Sequence, residues 1–179
     1  MRMLIFYILV SYGSLLLAQD TYMTKTAEIV FDASTPLEDI HAVNQKVNAI
    51  LKTNGEFAAL LLVKEFDFKR KLMQEHFNEN YIESDKFPKA YFKGIIKDLN
   101  LEQLSEKGKI FKVIGSLTIH GVTNSIETEL ELKRNESNIS MATKFIVKTE
   151  DFKIKVPKIL FKKVAKEVNV RVSAQLQPE

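Results

Sequence analysis

From Ile126 to Lys133 the chain alternates side chains of opposite character. Ile126, Leu130 and Leu132 are set against Glu127, Glu129, Glu131 and Lys133. A period of two belongs to a strand, whose successive side chains leave opposite faces, and it is incompatible with a helix. The same beat recurs along the chain. Ala27, Ile29, Phe31 and Ala33 flank Glu28 and Asp32. Ile139, Met141, Thr143, Phe145 and Val147 flank Ser140, Lys144 and Lys148. Val168, Val170, Val172, Ala174 and Leu176 flank Asn169, Arg171, Ser173 and Gln175. Runs from Ala90 to Lys97 and from Ile110 to Ile119 behave alike. Each run offers one face to an interior and one to water, as in an antiparallel sheet.

Turn chemistry separates the runs. Asn54-Gly55 is a strong hairpin signal between Val43–Thr53 and Glu56–Val63. Gly121 divides the run ending at Ile119 from the one starting near Ile126, and Arg134–Asn138 is a polar turn. These signals give about eight strands in up-and-down order, enough to close a barrel that holds side chains or one small ligand. The expected fold is therefore all-β, an antiparallel eight-stranded barrel with one or two short helices. Phe68 to Asn80 reads as a helix with Leu72, Met73, His76 and Phe77 on one face. Leu99 to Glu106 suits a short helical turn, and Pro157 to Val164 a loop with one such turn. Phe57 to Val63 is apolar at every position, which implies burial on both faces. Its outer cover is either the Phe68–Asn80 helix or a second copy in a homodimer.

Met1-Arg2 gives a positive start, Met3 to Leu17 is almost wholly apolar, and Ala18 precedes the polar Gln19-Asp20. This is the pattern of a secretory signal peptide cleaved after Ala18. The run is shorter than the ~20 residues of a membrane span. Residues 19–179 then form one domain, expected in a periplasm or outside the cell. The chain has no cysteine, so export brings no disulfide. Its net charge of +3 is too small to point to nucleic acid.

Gly115-Ser116-Leu117-Thr118-Ile119-His120-Gly121-Val122-Thr123 resembles a G-x-L-T-(I/L)-H-G-V-T signature of the YceI-like family. Phe87-Pro88-x-Ala90-x-Phe92, Phe145-Ile146-Val147 with Asp151-Phe152-x-Ile154, and Val168-Asn169-Val170 resemble further family segments in the right order. The resemblance implies a lipocalin-like barrel, often periplasmic or secreted, that binds a long isoprenoid in an interior tunnel. The segment Leu72–Ser84 departs from better-known members and is similar to a Bacteroidetes-type subgroup.

Catalytic patterns are sparse. His-Glu-x-x-His, Gly-x-Ser-x-Gly and glycine-rich phosphate loops are absent from the sequence. Glu75, His76 and Glu79 make at most a partial metal set. Ser116, His120 and Asp151 form a triad on paper only, and a lumen enzyme would need His120 beside a carboxylate. The expectation is a binding protein with no enzymatic activity, cofactor or metal. Its partner would be an apolar molecule such as an isoprenoid, quinone or other lipid. By alternation or by the resemblance, the candidate lumen residues are Phe57, Ala59, Leu61, Phe92, Ile96, Leu117, Leu130, Met141, Phe145 and Phe152. His120 is either a head-group contact or a structural imidazole where two strands meet. Alternation fits a hollow and a side-chain-filled barrel equally. The filled barrel would make the chain a non-enzymatic interaction or dimerisation module.

Overall fold

The computed structural model describes residues 21–156 and 164–179. The expected leader and most of the Pro157–Val164 loop lie outside them. Nine strands follow in chain order: β1 (Thr21–Asp32), β2 (His41–Lys52), β3 (Glu56–Leu62), β4 (Asp67–Phe68), β5 (Lys89–Ile96), β6 (Lys109–Ile119), β7 (Val122–Asn135), β8 (Asn138–Lys148) and β9 (Glu167–Pro178). Eight of them run β1-β9-β8-β7-β6-β5-β3-β2, and β2 pairs back onto β1. Every pairing is antiparallel, so the sheet closes as an eight-stranded barrel. The alternating runs are its staves, because closure gives every strand one inner and one outer face.

β1 and β2 each have 12 residues and are kinked by register shifts between Thr24 and Ala27 and between Ala27 and Ile29. Asn44, fully buried, holds the second irregularity. Its amide nitrogen donates to Leu62 O at 3.1 Å, and its Oδ1 accepts from Lys46 N at 2.9 Å. The short β4 pairs with Ala42 and Val43 at the start of β2. That pairing starts the helix later than the sequence predicts, because Phe68 is spent in a strand. The helix α1 (Lys71–His76) continues as a π-helical turn over Phe77–Tyr81. A 3-10 turn, Leu101–Gln103, meets the expectation for the β5–β6 connection.

One end of the barrel is solid. Leu51, Leu132, Ile139 and Leu176 have no exposure there, and Tyr22, Ile96 and Phe111 pack with them. The β5–β6 loop adds Leu101 and Leu104 as a plug. Arg134 pins that loop, its Nη1 donating to Leu101 O at 3.2 Å. The helix lies at the opposite end. Phe77 meets Phe68 at 5.1 Å, Phe31 at 5.4 Å and Phe66 at 5.9 Å between ring centroids. The helix thus covers part of the barrel mouth and not the outer face of β3. On that face Leu62 stays 44% exposed. The expected helical cover over Phe57–Val63 is corrected accordingly: the aromatic side of the helix finds more apolar partners at the mouth.

Candidate ligand-binding site

Above the solid floor the barrel is hollow. A cavity of about 570 Å³ occupies the half nearer the mouth. Its walls come from alternate residues of the strands, with Ile29 and Phe31 of β1, Leu117 and Ile119 of β6, and Val168, Val170 and Val172 of β9. Phe66, Met73 and Phe77 close in from the mouth. The volume falls in the range of about 300–1,000 Å³ found for small-molecule sites.

Eight of the ten candidate lumen residues line this cavity: Phe57, Ala59, Leu61, Phe92, Leu117, Leu130, Met141 and Phe145. Two do not. Ile96 points inward but too deep. It is 2% exposed and belongs to the floor, where the Leu101 and Leu104 plug leaves no space. Phe152 is not on a strand at all. It ends a 3-10 turn, Glu150–Phe152, and is buried beside the barrel. The non-alternating segment hid Val63 and Phe66, which also line the cavity. Only apolar composition marks them in the sequence, since the chain leaves the strand period after Leu62.

Polar groups on the lining are few: Glu38, Arg70, His76, Tyr81, Thr128, Thr143 and Thr149. Arg70 and Glu38 pair with each other at the rim. Inside, Thr143 Oγ1 donates to Glu129 O at 2.6 Å and Thr128 Oγ1 to Lys144 O at 3.1 Å. Tyr81 lines the upper wall, and burial pushes its phenol above the usual tyrosine value. Such a lumen offers dispersion contacts and an apolar wall, worth about 0.8 kcal/mol per buried methylene of a guest.

His120 stands off the cavity. With Gly121 it forms the two-residue turn between β6 and β7, at φ values of 51° and 71°. Positive φ at both positions is the type I′ geometry that matches strand twist. A histidine tolerates it better than most residues. A Cβ on Gly121 would stand 2.6 Å from the Phe87 ring. The imidazole meets that ring edge-on at 4.5 Å. Its Nδ1 donates to Phe152 O at 3.0 Å, and its Nε2 to Glu83 Oε2 at 3.1 Å. Glu83 is held below the usual glutamate value, first by its hydrogen bond from Lys86 and then by that from His120. The imidazole is thus a clasp that joins the β6–β7 turn, the Glu83 segment and the Glu150–Phe152 turn, and it is not among the residues that line the cavity. Glu75, His76 and Glu79 acquire no further ligand: among the described residues no three His, Cys, Asp or Glu side chains could hold a metal ion.

The model of the YceI-like domain matches residues 21–176. The chain belongs to the YceI-like family. No curated protein matches it in sequence. Among solved structures, this YceI-like barrel is similar to a polyisoprenoid binding domain from Saccharophagus degradans implicated in plant cell wall breakdown. The TM-score is 0.77 at 14% identity, covering 90% of this chain and 99% of that one. It is also similar to BcnA from Burkholderia cenocepacia, with a TM-score of 0.71 at 16% identity over 84% and 95% of the two chains. A YceI protein of Campylobacter jejuni follows at 0.61 and 14% identity, over 76% and 82%. At these identities the likeness is one of fold.

Proposed function

We propose that this YceI-like chain is an exported, non-enzymatic carrier or sequestering protein that holds an elongated apolar molecule, an isoprenoid, quinone or other lipid, in its lumen. The observation that carries the reading is the hollow half-barrel of about 570 Å³. Its walls are apolar, and the charges on its rim are paired with each other. A guest of this kind gains affinity from burial alone and needs few polar contacts. The polyisoprenoid binding named for the Saccharophagus domain supports the same ligand class. Export rests on the Met1–Ala18 leader pattern, with cleavage after Ala18 and a periplasmic or secreted product. Among the described residues no helix is long and apolar enough to cross a membrane. Absence of turnover is proposed because His120 and its carboxylate partner Glu83 both stand outside the cavity lining.

Native mass spectrometry with organic extraction, on protein purified from its exporting host, tests the reading. A co-purified apolar species of defined mass is expected. Repeated empty spectra, with no uptake of added prenols, would sink it. A second reading is favoured by one surface. Ile50, Tyr91, Ile95 and Leu62 are 38–44% exposed on the outer faces of β2, β3 and β5, and such a face suits contact between two copies. The oligomeric mass in the same spectra checks that reading.

A further inference from the structure

β7 and β8 have 14 and 11 residues, yet they pair only from Leu130↔Thr143 to Asn135↔Asn138. Toward the mouth each continues without the other. β7 stays paired with β6 as far as Val122, and β8 with β9 as far as Lys148. Their facing edges share no backbone ladder there. Unpaired edge groups are a cost that closed barrels normally remove, so the parting needs a reason.

Side chains latch the gap at both ends. The donation of Thr143 to Glu129 O and of Thr128 to Lys144 O marks its floor side. On the mouth side Asn124 Nδ2 donates to Asp151 O at 2.7 Å, beside the bond from His120 to Phe152 O. Between the latches lies a stretch without a ladder, the slit, with the Glu150–Phe152 turn packed against both strands. Its inner lips are Ile126, Phe145 and Val147, all on the cavity lining. On its outer side Ile146 is 55% exposed.

We propose that this slit is a side portal, through which one end of an isoprenoid longer than the cavity leaves the barrel wall. The proposal rests on the carrier reading. A guest that outgrows the lumen cannot pass the floor, where Leu51, Leu132, Ile139 and Leu176 are fully packed. At the mouth it meets the aromatic cluster of Phe31, Phe66, Phe68 and Phe77. The slit offers an apolar path from the lumen, past Ile126 and Phe145, to the exposed Ile146. A short guest stays inside and needs no exit.

Photo-crosslinking on the unmodified chain tests this. The probes are farnesol and solanesol, each carrying a diazirine at one end or the other, with the insertion sites mapped by mass spectrometry. Both ends of the farnesol probes are expected to label lumen residues such as Leu130 and Met141. One end of the solanesol probes should label the outward residues Ser125, Glu127 or Ile146 at least tenfold over the farnesol probes. Solanesol labelling confined to the lumen and the mouth residues Arg70 and Leu72 would overturn the portal and leave the carrier reading standing. If neither length labels above a free diazirine control, the carrier reading falls and the portal with it.

Discussion

The ring of Phe92 lies against Gly115 so closely that a Cβ on that glycine would stand 2.5 Å from its Cζ. Gly115 pairs with Gly94 across β5 and β6, and a Cβ there would meet the same ring atom at 2.6 Å. The ring is folded flat over two positions without side chains, and it keeps Phe57 company at 5.9 Å. The upper wall of the barrel is thereby thinned where the hollow half meets the floor.

A Cβ on Gly115 would also clash with Lys93 O, so Gly115→Ala should shift the β5 backbone as well as push Phe92 toward the lumen. Overpacking of this kind costs about 1–3 kcal/mol. Urea unfolding of Gly115→Ala, Phe92→Ala and the double variant reads the coupling. The two single losses should sum to more than the loss in the double variant, since the ring clash is gone. Simple additivity would show that ring and glycine do not constrain each other.

His120→Ala removes two hydrogen bonds and a ring contact from a side chain that is 10% exposed. A loss of about 1–3 kcal/mol is expected, because the Phe152 carbonyl is left unpaired. His120→Asn should retain part of the stability, since asparagine accepts the positive φ of the turn. Equal midpoints for both variants would remove the clasp from this account.

Acid should weaken the same clasp. Glu83 has a folded pKa below its ordinary 4.5, with Lys86 the larger cause and His120 the next. A lowered carboxylate contributes stability that is present above its unfolded value and lost as pH falls through the folded one. Glu56, held by Lys52, and Asp85, held by Lys64, act in the same direction. Thermal midpoints should fall as pH drops below about 4.5. The fall should be shallower in Glu83→Gln, and an identical profile would contradict the assignment.

Floor and lumen should respond differently to truncation. Leu132→Ala opens a void in a fully packed end and should cost about 2–5 kcal/mol, with uptake of a prenol unchanged. Val170→Ala only enlarges space that is already empty, and a cost of about 1 kcal/mol or less is expected. Chemical denaturation of both variants tests the contrast.

Filling the lumen should separate binding from folding. The chain has no tryptophan, so Val170→Trp adds a sole indole on the cavity wall. A blue-shifted emission, a retained midpoint and at least about tenfold weaker prenol uptake are expected. Unweakened uptake with the indole buried would place the ligand elsewhere.

The staves and their inner faces were legible because a period of two leaves little choice of face. Ile126, Leu130, Phe145 and Val170 point inward as read. Depth was not legible, because alternation is the same in a packed and a hollow barrel. Ile96 has the right face, and only the later arrival of Leu101 and Leu104 puts it in the floor. The turn at His120 could be read, but not its partners, since Glu83 lies 37 residues away. Nor does anything in the beat of β7 and β8 reveal that they part toward the mouth beyond Leu130 and Thr143.

A solid floor also makes the molecule a cup and not a pipe. Whatever enters cannot travel on through the far end, so loading and unloading share the same half of the surface. On the proposed carrier reading a donor and an acceptor would compete for that half, and exchange would follow ping-pong order. Its rate would saturate with either party and fall when one is in excess.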